Sequence, residues 1–104
     1  MYKIEYLPIA VQDMVEISTY IAKELNNPTA AENLADKMIN SIERLAEFPY
    51  INAVYNPIRP LKNEYRRLTV DNYVVFYTVD EMQKIVTIHR AIYGKRDYNK
   101  ILSD

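Results

Sequence analysis

One histidine, one glycine and six of the thirteen lysines and arginines fall in a single stretch, Glu64 to Asp97, EYRRLTVDNYVVFYTVDEMQKIVTIHRAIYGKRD. Alternation along IVTIHRAIY puts Ile85, Thr87, His89, Ala91 and Tyr93 on one side and Val86, Ile88, Arg90 and Ile92 on the other. The aliphatic row reads as a core face, which leaves His89 and Tyr93 on an open face. Arg90, at the end of the core row, needs an acidic or carbonyl partner. In YRRLTV the same logic groups Arg66 with Leu68 and Val70, and Arg67 with Tyr65 and Thr69. An open sheet face holding His89, Tyr93 and Arg67, with Lys95 or Arg96 close by, could grip a phosphate backbone and stack bases.

Each of these residues also has an ordinary role. Tyrosine is a good strand former on a half-buried sheet surface. Arg66 and Arg67 can be charges that keep an edge strand from pairing with another chain. Arg90 can be a structural ion-pair partner, and His89 a hydrogen-bonded strand residue. Other chemistries lack their residues. There is no cysteine for a disulfide or a thiolate site, and a single histidine makes zinc a poor fit. Ser18, Ser41 and Ser103 sit in no nucleophile motif, and one glycine cannot build a phosphate loop. The expectation is a site without metal or cofactor.

The elements that must position these residues follow from pattern. At 104 residues, 49% hydrophobic and 26% charged, the chain reads as one domain able to bury a core. Tyr2 to Leu7 alternates as a strand, and Pro8 ends it and opens a helix. From Ile9 to Leu25, Val11, Met14, Ile17, Ile21 and Leu25 recur at spacings of three and four, with Asp13 on the other side. Asn26-Asn27-Pro28 breaks this helix. A second starts with Asn27 as cap and Pro28 in its first turn, or with a Thr29–Glu32 capping box, and ends at Phe48-Pro49. Residues 49–62 read as an irregular, ordered connection. Strands follow at Tyr65 to Val70, Asn72 to Val79 and Ile85 to Tyr93, then a helical turn from Asp97 to Leu102.

The order β-α-α-β-β-β predicts an α+β fold: an antiparallel helix hairpin covering one face of a three- or four-stranded, mostly antiparallel sheet, with the other face partly open. The net charge of −1 conceals an acidic first half, residues 1–52 at −4, and a basic second half, residues 53–104 at +3. A basic half can face nucleic acid or an acidic protein. No apolar run is long enough to span a membrane, and the opening YKIEYL does not read as a secretory leader, so the expected location is the cytoplasm.

With these pieces in place, the chain resembles the RelE/ParE superfamily of toxins from bacterial type II toxin–antitoxin systems. The resemblance rests on LAEFP (Leu45 to Pro49), YRRLTVDNYVVFYTVD (Tyr65 to Asp80) and IVTIHRAIYGKRD (Ile85 to Asp97), in that order and spacing, over nearly the full length. It implies a toxin that arrests growth until a cognate antitoxin neutralises it, with room for higher-order toxin–antitoxin assembly. Two mechanisms occur in the superfamily. ParE-like members bind DNA gyrase. RelE-like members cut messenger RNA in the ribosome, where catalysis needs an activated 2′-hydroxyl and neutralisation of phosphorane charge. For the nuclease, the resemblance implies Arg67, His89, Tyr93 and Arg96 as catalytic residues. For binding it implies Arg66, Arg67, Arg90, Lys95 and Arg96.

Residue by residue, the ParE-like alternative fits better. Arg96 matches the arginine after the last strand. Nuclease members carry an arginine after the tyrosine of the central strand, where this chain has Val74 after Tyr73. The tyrosine that follows the GKR arginine in some nucleases is also missing at matching distance, with Tyr98 closer and Leu102 in its place. A non-toxic binding module of the same fold is the third alternative. The resemblance further implies an antitoxin whose acidic, amphipathic C-terminal segment covers the basic half.

Overall fold

The computed structural model describes residues 1–103. The element order is β1 (Lys3–Tyr6), α1 (Pro8–Thr19), α2 (Pro28–Glu43), β2 (Arg66–Val70), β3 (Tyr73–Asp80), β4 (Ile85–Tyr93) and α3 (Tyr98–Leu102). The four strands form one sheet in the order β1-β4-β3-β2, with β1 parallel to β4 and the other pairs antiparallel. This is the expected α+β architecture.

Local chemistry sets the boundaries. Pro8 opens α1, where its missing N–H costs nothing. Asn26 takes a left-handed conformation (φ 51°), and Asn27 caps α2 by accepting from the Ala30 N–H at 3.1 Å. The Asn27 cap, rather than a Thr29–Glu32 box, is therefore the one used. Asp71 (φ 52°) makes the β2–β3 turn. Lys84 is also left-handed (φ 58°), with its ammonium 2.6 Å from Glu81 and over the Tyr2 ring.

Helix α1 departs from its sequence pattern in two ways. Its last turn, Tyr20–Glu24, widens to a π-helix in which the Leu25 N–H reaches the Tyr20 carbonyl. Leu25 and Val11, both expected inward, are instead exposed. Asp13, expected outward, is buried at 8% exposure. The inward stripe runs Ala10, Asp13, Ile17 and Ile21, and Asp13 belongs on it because its partner lies in the sheet. The Arg90 guanidinium donates to both Asp13 oxygens, Nε at 2.7 Å and Nη2 at 3.0 Å, and the Ala91 N–H donates to Oδ2 at 3.0 Å.

A bulge lies beside this anchor. Phe76 pairs with Arg90 and Tyr77 with Ile88, so His89 is the extra residue. The bulge changes the alternation expected along β4. Val86 and Ile88 face the helices as expected, but beyond the bulge Ala91 joins that core and Ile92 joins the opposite one.

The second face is partly covered, and Arg67 and Thr69 stay exposed on it. Tyr65, Val74, Phe76, Ile92 and Leu102 form a buried cluster beneath Tyr55, Leu61, Tyr98 and Ile101. The connection before β2 and helix α3 cover it together. Asn99, itself buried, fastens them by accepting from Tyr55 Oη and the Ile58 N–H and donating to the Arg59 carbonyl. At the other end Tyr77 Oη donates to the Pro49 carbonyl at 2.8 Å. His89 is half-buried on this side, 2.9 Å from Thr78 Oγ1 and edge-on to Tyr65. Burial holds its imidazole pKa below the ordinary 6.5.

Two predictions follow from these contacts. Asp13→Ala leaves the Arg90 charge uncompensated and should cost about 3–5 kcal/mol in urea unfolding. The paired replacement Asp13→Leu with Arg90→Met should recover most of that loss, and a single-variant cost below about 1 kcal/mol would contradict the anchor. For His89, the unfolded chain takes up a proton near pH 6.5 while the folded chain resists it. Stability should therefore fall as pH drops below about 6.5, levelling once the folded imidazole titrates. Thermal melts of His89→Gln should lose this slope.

Candidate functional site

The chain from β4 into α3 is held tightly enough to present side chains from a fixed frame. Gly94 donates to the Asn72 carbonyl at 2.8 Å, and a Cβ there would sit 3.1 Å from the same oxygen. Tyr98 Oη donates to the Gly94 carbonyl, the Arg96 N–H to the Tyr93 carbonyl at 3.0 Å, and Asp97 caps α3 by accepting from the Lys100 N–H. Lys95 and Arg96 are exposed on this turn, and among the described residues neither makes an ion pair.

The candidate residues of the sequence do not converge on one point. Arg66 and Arg67 are neighbours on a strand and so point to opposite faces. Arg66 Nη1 donates to the Asn52 carbonyl at 2.7 Å, with its guanidinium over the Tyr50 ring. Arg67 lies over the Tyr98 ring at 5.6 Å. Arg90 is committed to Asp13, and His89 to Thr78 and Tyr65. Arg67, Lys95 and Tyr98 line one hollow of about 230 Å³. Arg96 lines another, of about 780 Å³, with Tyr20, Leu25 and Tyr73. Tyr93, 43% exposed, stands on the ridge between the two.

The first hollow has two cations and three tyrosine rings, the elements of a phosphate-and-base grip, with Asp71 also in its lining. His89 lines neither hollow. Val74, 3% exposed, takes the position of the expected nuclease cation and belongs to the second core. In the second hollow, burial first and then the neighbouring Tyr20 and Tyr93 hydroxyls raise the pKa of Tyr73, so this phenol is neutral at physiological pH. A third feature is an apolar groove of about 570 Å³ between α1 and α2, lined by Val11, Met14, Val15 and Ile39 among others. Among the described residues no group of three or more His, Cys, Asp or Glu is placed to hold a metal. No helix among them is long and apolar enough to cross a membrane.

Sequence reasoning missed Asp13, Tyr20 and Leu25. Asp13 had a signal: it lies three residues after Ala10 and four before Ile17, on the helical stripe itself. Tyr20 and Leu25 had none, because their exposure depends on the π turn.

Comparison with known proteins places this geometry. A search of curated proteins finds no significant match. Among solved structures, the chain resembles the chromosomal ParDE TA system from P. aeruginosa, with 17% identity, a TM-score of 0.70, and coverage of 89% of this chain and 96% of that one. It also resembles the archaeal RelE–RelB complex from Pyrococcus horikoshii OT3, with 15% identity, a TM-score of 0.61 and coverage of 91% and 97%. The isolated E. coli RelE toxin matches with 16% identity, a TM-score of 0.57 and coverage of 97% and 93%. These likenesses show a shared fold. Residues 4–98 match the family described as the ParE toxin of type II toxin-antitoxin system, parDE, and the chain belongs to that family.

Proposed function

We propose that this toxin arrests growth by binding DNA gyrase in the cytoplasm, without bond-making chemistry of its own. The observation that carries this reading is the burial of Val74. A nuclease of the superfamily would hold a cation where this chain buries Val74, at 3% exposure, in one cluster with Phe76 and Ile92. Commitment of Arg90 to Asp13, and of His89 to Thr78 and Tyr65, supports the same reading by leaving fewer groups for acid–base work.

A second reading is a ribosome-dependent mRNA endonuclease, and the hollow of Arg67, Lys95 and Tyr98 is what favours it. Under either reading a cognate antitoxin holds the toxin inactive. The groove between α1 and α2 suits an amphipathic helix from that antitoxin, with its acidic stretch reaching toward the basic half.

Induction of the chain alone should arrest growth with transcripts intact, and the purified protein should inhibit supercoiling by gyrase. Unchanged supercoiling at saturating protein, with cleaved transcripts, would establish the second reading in its place. Val15→Asp, which puts a charge in the apolar groove, should leave the arrest intact while the product of the adjacent antitoxin gene no longer relieves it.

A further inference from the structure

The hollow at the end of α1 is not explained by the fold. Widening of α1 into a π turn interrupts regular helix geometry, a change often found at functional sites. The turn keeps Ile21 in the core but leaves Tyr20 and Leu25 exposed at 51% and 56%. They stand beside Tyr73 and Tyr93, whose rings meet edge to face at 5.9 Å. Arg96 lines the same hollow from the locked turn after β4.

Composition and charge indicate the occupant. Tyrosine and arginine are enriched where proteins bind proteins, because they bring large contact area and directed hydrogen bonds. A nucleic-acid site needs an excess of positive charge. Here the lining sets Asp13 and Glu16 against Arg90 and Arg96, with Arg90 paired to Asp13, so no excess exists. We infer that Tyr20, Leu25, Tyr73, Tyr93 and Arg96 form the surface that docks the toxin's protein target, taking an apolar or aromatic side chain flanked by a carboxylate that pairs with Arg96. This deepens the protein-binding reading above and rests on it. The surface is separate from the α1–α2 groove, so target and antitoxin would contact different sides of α1.

The test compares Tyr20→Ser with Tyr93→Ser as a double variant, Arg96→Glu, Arg67→Glu with Lys95→Glu, and Lys3→Ala as a distant control. Each is assayed for thermal midpoint, growth arrest on induction and inhibition of gyrase supercoiling. The double variant and Arg96→Glu should each need at least about tenfold more protein for half-inhibition and should blunt the arrest, with the midpoint kept. Arg96→Glu, fully on the surface, keeps the test decisive should the double variant unfold. Full potency in Arg96→Glu and the double variant overturns the proposal. So does loss confined to Arg67→Glu with Lys95→Glu, which moves the site to the other hollow and to nucleic acid. Variants that still arrest growth but escape the antitoxin assign the surface to that partner and overturn it too. If the wild type arrests growth while supercoiling is untouched, the gyrase reading fails, and the hollow is judged on growth arrest alone. A wild type with neither effect overturns both.

Discussion

The contact between α1 and the sheet at Asp13 and Arg90 is the constraint on which the rest of the molecule depends. One carboxylate receives two guanidinium N–H groups and the Ala91 N–H, so its lone pairs are well used in a place water barely reaches. Burying two charges carries a large desolvation cost, and an apolar pair of similar volume could match or exceed its contribution to stability. What an apolar pair would not supply is direction. The anchor fixes the rotation of α1 and its height against β4 at the residue where the ladder is interrupted by the bulge. It adds to the apolar pattern in holding the register, since a one-residue slip would reverse every side chain beyond it.

The bulge in turn lets a small domain use both faces of one sheet. Before it, Val86 and Ile88 face the helices. After it Ala91 does, a side chain small enough to let Asp13 approach the backbone. Ile92 is released to the second face, where it packs with Val74 and Phe76. That cluster is roofed by a connection with little regular structure of its own. Four aromatic rings, Tyr55, Tyr65, Phe76 and Tyr98, meet there edge to face at centroid distances of 5.0–6.4 Å. A segment rich in prolines can be ordered in this way when side-chain packing and a latch such as Asn99 replace the ladder.

Most of the architecture was legible in the sequence because its signals are local. Pro8, Asn27-Pro28 and Asp71-Asn72 mark boundaries through backbone chemistry alone, and β4 runs from Ile85 to Tyr93 as its pattern predicts. What was not legible depends on partners distant in sequence. Asp13 reads as a polar residue of an amphipathic helix until Arg90, far along the chain, is seen to face it. His89 reads as an exposed strand residue because nothing local shows that Tyr65 and Thr78 pack against it. How much of the second face is covered is not legible, because nothing in residues 49–62 announces that Tyr55 and Leu61 fold back over the sheet. Each failure of local inference is thus a tertiary contact overriding a local pattern. The site reading suffered most, since it was built on the alternation that the bulge changes.

The partly covered face also bears on how one small fold can serve two partners. A toxin must be recognised by its target when free and by its antitoxin when held, and a single shared surface would make those events mutually exclusive only by competition. Here much of the sheet face that could have hosted either is covered by the protein's own core. Two of the accessible features, an apolar groove on one side of α1 and a tyrosine-lined hollow at its end, differ in chemistry. The groove offers area to a segment that gains order on binding, for which contact along a helix offsets the lost entropy. The hollow offers a few rigid aromatic groups and one cation, suited to a preformed surface. Both are framed by α1, and the position of α1 is set by Asp13.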